Sequence, residues 1–450
     1  MAAWTLPKRF REWSSQLATP LDRRSRKYWL PILIGVLFAQ GRRTASRWFT
    51  AAGVDDDWRN HYYFLGCLGR KAGLVATELL MIAMRWIPTT HVGEYVRLAI
   101  DDSPTKRYGP QVEGAGIHHN PTPGPAGSEF LYGHVWVTIS WLVRHPLWST
   151  IGLALRSRMY IRQRDLELLA VAGRKPWDFR TKLILAAELL EWAAEWFTAW
   201  LAKPVIAVVD GAYAKRPFLK RAAAAGVTVV SRLRKDAALC TVPKQEKRRG
   251  RGRPRKYGTG RIHLGRRGSH RQGWTTGRFE LYGAMKTVTY KTFLATYRPA
   301  GGLMRVVVVR DDADRSWTAF FSTDPDLSIR VILECVADRS AIEQNFHDVK
   351  EVEGAGQQQL RNVFSNVAAW HLCLWVHTLV ELWSWRRAGS RLKQRDDRPW
   401  DNADRRPSHA DRLKTLRLEA IRETISALPR VNRASRIILS VLKRLTRLAA

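Results

Sequence analysis

The chain has 450 residues, 45% of them hydrophobic, which excludes a disordered polypeptide and allows about two or three domains with a sizeable core. Its 75 Lys and Arg against 40 Asp and Glu leave a formal net charge of +35. That surplus implies a polyanionic partner, nucleic acid first and an anionic membrane surface second, because each neutralised phosphate releases condensed counterions. The four cysteines have no zinc-knuckle, redox-motif or disulfide-framework spacing, which fits a reducing cytoplasm.

Residues 1–92 read as mostly helical. Apolar positions recur at helical spacing from Phe64 and Leu65 through Leu74, Leu79, Leu80 and Ile82, and Pro88 closes the segment. The apolar run 28–38 is too short to span a bilayer and contains Pro31. From Tyr95 the pattern turns to β. A first strand over 96–100 closes at Asp101 and Asp102, a Gly/Pro-rich loop covers 114–127, and strands follow at 134–143 and 148–155. Residues 180–201 make an amphipathic helix through Leu183, Leu185, Leu189, Leu190, Trp192 and Trp196. A strand over 204–209 closes at Asp210, a helix over 215–225 stops at Gly226, and 227–230 is the next strand. Three strands, helix, strand, helix, strand, with acids ending the first and fourth strands, predicts an α/β, ribonuclease H-like core. Its last helix should carry a third acid.

That helix is delayed by an insertion between Arg232 and Asp324. It opens on a charge run, 244–271, whose one acid is Glu246, and continues as alternating strands around 304–309 and 317–321 with a turn at 311–314. Helix resumes at Leu327 with Asp324 or Asp326 available as N-cap. The apolar stretch 366–385 is interrupted by His371, His377 and Glu381 and reads as a buried helix, not a membrane span. The resulting division is a helical DNA-binding region (1–92), a core in two parts (93–233 and 324–385), a basic β-rich insertion (234–323) and a charged helical C-terminal region (386–450).

Asp102, Asp210 and Glu343 are the candidate metal ligands. Magnesium takes few protein carboxylates and shares the rest of its shell with water and phosphate oxygens, so three carboxylates and a phosphate can hold one or two ions. Asp101 and Asp102 point to opposite faces of an alternating strand, so only one can be the principal ligand. Around Glu343, the residues Arg339, Phe346 and Lys350 fall on one helix face. An intrahelical Arg339–Glu343 ion pair accounts for part of this pattern. A metal-binding carboxylate with phosphate-gripping cations on either side accounts for it together with the upstream acids.

The segment Arg339-Ser-Ala-Ile-Glu343-Gln-Asn-Phe346-His-Asp-Val-Lys350 resembles the signature helix of cut-and-paste DDE transposases of bacterial insertion sequences, of the insertion-sequence-four kind. The blocks at 101–105, 205–214 and 320–324 are similar to that family's as well, and the likeness covers roughly residues 95–380. Val336 departs from it where the family usually has Tyr, and Ser340 where it often has Trp. The resemblance favours Asp102 over Asp101, because the family's acid usually precedes a Ser or Thr, as Asp102 precedes Ser103. It implies two divalent ions, Mg²⁺ or Mn²⁺, roughly 3.5–4 Å apart on Asp102, Asp210 and Glu343, hydrolysis at transposon ends and strand transfer to target DNA. It also implies that Arg339 and Lys350 contact end phosphates. The reaction would need a homodimer or larger assembly on paired double-stranded DNA ends, in the bacterial cytoplasm at the nucleoid.

Arg251, Arg253, Arg255 and Lys256, in a Gly-Arg-Pro context, resemble an AT-hook, an extended segment suited to a narrow minor groove. His118 and His119 read as loop residues, Trp274 as a possible base-stacking aromatic and Asp55 to Asp57 as helix-capping acids. Two rival readings remain: a DNA-binding remnant without chemistry, and a metal-dependent nuclease without strand transfer.

Overall fold

The computed structural model describes residues 4–120, 127–243, 255–311, 316–387 and 406–427. The N-terminal region is helical: α1 (Lys8–Leu17), α2 (Trp29–Phe38), α3 (Ala45–Ala51), α4 (Trp58–Trp86) and α5 (Thr89–Val92). Strands β1 (Val96–Lys106), β2 (Gly116–His119), β3 (Phe130–His145) and β4 (Ser149–Tyr160) follow, then α6 (Gln163–Val171), α7 (Lys182–Leu201), β5 (Val205–Val209), α8 (Arg216–Ala224) and β6 (Thr228–Leu233). The next segment holds β7 (Leu239–Cys240), β8 (Arg261–Ile262), α9 (Leu264–Ser269), β9 (Thr275–Leu281), β10 (Ala284–Tyr297), β11 (Gly302–Arg310) and β12 (Trp317–Ser322). Helices α10 (Ile329–Asp338), α11 (Ser340–His347), α12 (Val363–Trp385) and α13 (His409–Ala427) complete the described chain.

Among the described residues the strands join one mixed sheet in the order β2-β3-β1-β5-β6-β12-β11-β10-β7-β8, with β4 also on β3 and β9 on β10. β1 is antiparallel to β3 and parallel to β5, and β5 is parallel to β6. The inserted strands therefore extend this sheet: β12 pairs antiparallel with β6, Phe321 opposite Ser231.

Four details depart from the expectations. β1 does not close at Asp102; pairing with β3 continues to Lys106 opposite Gly133, so both acids lie mid-strand. The Gly/Pro loop contains β2, which carries His118 and His119 beside β3. The N-cap of α10 is Ser328, whose side chain accepts from Val331 N, rather than Asp324 or Asp326. The helix around Glu343 is not continuous: it breaks at Arg339 between α10 and α11, and from Asp348 to Val352 it widens into a π turn. Lys350, inside that turn, leaves the regular 3.6-residue spacing. Gly226 does end α8, with φ +69°.

α12 is long and apolar enough to cross a membrane, with mean hydropathy 1.3, but 94% of its apolar window is buried inside the fold. It packs against α4, α2 and β4. Gly69 sets how closely α4 and α12 approach, since a Cβ there would lie 1.8 Å from the backbone oxygen of Phe364. Backbone cannot give way as a flexible side chain can. Gly69→Ala should destabilise the protein by about 2 kcal/mol or more, in the range of core overpacking. Thermal unfolding of the variant within about a degree of the parent would contradict this close approach.

Candidate active site

Sheet register sorts the acids by face. Ile100 and Val209 are the last partners in the parallel β1–β5 pair; Asp101 follows within β1, and Asp210 follows just past the end of β5. Partners in parallel strands share a face and consecutive residues alternate. Arg97, on the same face of β1 as Asp101, binds Asp338 (2.7 Å) and Glu334 (3.0 Å) of α10. The face bearing Asp101 is therefore the one that α10 and α11 cover. On β4, Gly152 lets α11 come close, because a Cβ there would lie 2.7 Å from the Asn345 side chain and 2.9 Å from Ala341 O. The Asn345 amide also meets Ser140 Oγ at 3.1 Å.

Arg339, at the break between the two helices, forks across two acids. Its Nη1 donates to Asp101 Oδ2 at 2.8 Å and its Nη2 to Glu343 Oε1 at 2.5 Å. Glu343 is 55% exposed while Asp101 is 20% exposed, so the pair runs from the sheet to solvent. Burial pushes the Asp101 carboxyl up to about 6; Arg339 opposes the shift, and the charges of Asp102 and Asp210 add to it.

Asp102 faces the other way. Its Oδ2 accepts from Lys182 Nζ at the start of α7 (2.7 Å), and its Oδ1 accepts from the Tyr213 hydroxyl (2.5 Å). Burial and the Asp102 charge hold the Tyr213 phenol well above its ordinary pKa. The sequence reading preferred Asp102; the structure ties Asp101 to Arg339 and through it to Glu343, and ties Asp102 to Lys182 and Tyr213. Tyr213 lies in the family-like block 205–214 but was given no role, and Lys182 carried no sequence signal of its own.

Lys350 is partly buried, and burial lowers its pKa. Arg255 and Lys256 are exposed, whereas Arg251 and Arg253 lie outside the described residues. Trp274 is flanked by Lys291 and Arg310, whose charges sit 4.4 Å and 5.1 Å from its ring centroid. His118 is partly buried, and burial first, then Arg162 and Lys182, press its pKa down to about 4.

A second charged cluster lies behind α11. Ligand atoms of His377, Glu381 and His409 come within 4.8 Å of one another. His409, however, has both ring nitrogens against carboxylates, Nδ1 to Glu381 Oε1 and Nε2 to Glu353 Oε1, each at 2.9 Å. Glu381 is also bound by Arg412 and lies 3.6 Å from Arg406. With its acid already neutralised by cations and its imidazole donating on both sides, this cluster is a buried ion-pair network rather than a cation site.

A strand-borne carboxylate on one face of a mixed sheet, an acid just past the neighbouring strand and another supplied by a covering helix define an α/β protein with a candidate metal centre. A family model described as DDE superfamily endonuclease matches residues 16–292, and the chain belongs to this family. The matched span holds Asp101, Asp102 and Asp210 and ends before Glu343. The family normally uses divalent metal ions and acts on DNA. No curated protein matches the chain.

Proposed function

We propose that the protein is a transposase of the insertion-sequence-four kind that cleaves DNA at transposon ends with divalent metal and transfers the freed strand into target DNA. The observation that carries this reading is the link from Asp101 through Arg339 to Glu343, with Asp210 directly following the parallel strand beside β1. The strand series β4-β3-β1-β5-β6, antiparallel then parallel, supports a ribonuclease H-like core. The division at 92, 233, 323 and 385 belongs to the same reading.

Hard carboxylate oxygens suit Mg²⁺ or Mn²⁺. In this reading Asp101, Asp210 and Glu343 hold the metal, with Asp101 in the role first given to Asp102. A bound divalent ion supplies the charge that activates a hydroxyl nucleophile and steadies the leaving oxygen. Arg339, released from the carboxylates it now bridges, is free to hold a DNA phosphate bidentately. Lys350, Arg255 and Lys256 add cationic contacts, as do Arg251 and Arg253. A homodimer on paired ends, in the bacterial cytoplasm, completes the proposal.

The test is cleavage of DNA carrying the element's own ends, with Mg²⁺ or Mn²⁺, by the parent and by Glu343→Gln. Loss of at least about 10³-fold with DNA binding retained supports the proposal, that being the scale of several kcal/mol of charge stabilisation. Cleavage without joined products would leave a nuclease. Equal cleavage by both proteins would remove Glu343 from the site.

A further inference from the structure

A cavity of about 850 Å³ opens near the far end of β1, lined by the segment after β1, the turn around Gly356 and the loop before α3. Arg107 lies six residues past Asp101, about 20 Å along an extended chain. The cavity is thus separate from the carboxylate cluster, by about six base-pair steps of 3.4 Å.

Its lining has a definite chemistry. Arg107 is 6% exposed. Its Nε donates to His134 Nδ1 at 3.1 Å and its Nη1 to the Gly356 carbonyl. No carboxylate pairs with it among the described residues, and burial lowers its pKa to about 10. His134 cannot serve as a counter-ion: its Nε2 donates to the Glu113 carbonyl at 3.0 Å, and burial, with Arg107 beside it, presses its pKa to about 3. The nearby acid, Glu113, is committed to Arg174, Asn362 and the Val363 amide. A buried cation without an acid is costly unless an anion reaches it.

The rim extends this chemistry outward. Arg42 and Arg361 line the cavity, are exposed, and have no ion-pair partner among the described residues. Tyr108 is 78% exposed, an unusual position for an aromatic ring on a lone loop. Gln111 and Gln359 add free amides, and Gln359 holds φ +54°, a conformation that L residues adopt at a cost. Cations for phosphate, a ring for stacking and amides for base edges are the groups that bind nucleotides.

Depth decides which form of nucleic acid enters. Arg107 is recessed, whereas Arg42, Arg361 and Tyr108, which line the same cavity, are exposed. The bases of a duplex are paired and stacked and do not turn into such a recess, while an unpaired nucleotide can bring its phosphate and its base to it together. We propose that this cavity is a DNA subsite that receives one unpaired nucleotide of a single strand, with its phosphate on Arg42, Arg107 and Arg361 and its base against Tyr108.

The inference rests on the DNA-binding part of the proposed function and not on its catalytic part. It is tested with the full chain in EDTA, which suppresses metal-dependent cleavage, by fluorescence anisotropy on two probes: a labelled thymidine 20-mer and a labelled 20-base-pair duplex of mixed sequence (lengths of about two helical turns). The double variant Arg42→Ala/Arg361→Ala should lose at least about tenfold in affinity for the single strand. Its slope of log K against log salt should shrink by about 1.4, two phosphate contacts at roughly 0.7 each. Tyr108→Ala should cost at least about fivefold on the same probe. Duplex binding should stay within about twofold for both variants, because the rest of the basic surface supplies it. Equal losses on the two probes, or no loss on the single strand, overturns the proposal. Since the altered side chains are exposed, melting curves that overlay the parent's separate loss of contact from loss of fold. A protein inactive in the Glu343 experiment that still shows the selective loss would retain this subsite while losing the catalytic reading. An active protein without the selective loss would do the reverse.

Discussion

Asp101→Asn should abolish metal-dependent DNA cleavage, by at least about 10³-fold, while Asp102→Asn should stay within about tenfold of the parent. The two residues are adjacent and chemically identical, so the contrast isolates side-chain direction. Asp101 reaches Glu343 through Arg339, and Asp210 follows directly on β5, the strand beside it. Asp102 is across the sheet, held by Lys182 and Tyr213. Its amide replacement would weaken two charge-assisted bonds at a half-buried position, which should lower stability by about 1 kcal/mol. Cleavage assays paired with denaturant unfolding separate the two effects. The reverse pattern, an active Asp101→Asn and an inactive but folded Asp102→Asn, would return the metal to the other face.

The largest effect on stability is expected at Glu381. Burial works against its charge, yet Arg412 and His409 hold its carboxyl well below the usual range. Its side chain is 2% exposed and that of Arg412 is fully buried. Glu381→Ala would leave Arg412 and His409 without this acid, at a cost of about 3–5 kcal/mol, the usual range for breaking a buried pair from one side. A variant melting within a few degrees of the parent would show that Glu353 and water suffice for these cations.

The same network carries a pH dependence. Burial opposes a charge on His409, but its hydrogen bonds to Glu353 and Glu381 raise its pKa from 6.5 to about 9. A folded-state pKa above the unfolded value means that the protonated imidazole stabilises the fold. That contribution is complete below about pH 6.5 and is lost as pH rises through about 9, roughly 3 kcal/mol over the window. Unfolding free energies of the parent from pH 6 to 10 should fall along this course. In His409→Gln the fall should be markedly smaller. Parallel curves for the two proteins would place the titrating group elsewhere.

Much of this protein was legible without coordinates. Helical spacing from Phe64 to Ile82 marked α4, alternation marked the longer strands, and α7, β5, α8 and β6 came in the expected order, because these signals depend on a residue's near neighbours in the chain; β2 and α6 were not foreseen. The positions of Asp210 and Gly226 followed from the same local rules. Local rules could not choose between Asp101 and Asp102, since alternation says only that they differ. The proposed choice of Asp101 rests on long-range structure, the pairing of β1 with β5 and the helix pair that covers one face. Nor could spacing foresee that Arg339 would sit at a helix break and Lys350 in a π turn, which packs against α12 and α13. The ion pairs of Asp102 with Lys182 and of His409 with Glu353 join residues 80 and 56 positions apart. The sequence by itself determined which acids were available and on which elements they lie. Only tertiary structure decided which of them meet, because a metal site is a property of faces brought together, and a face acquires its partner only when the chain has packed.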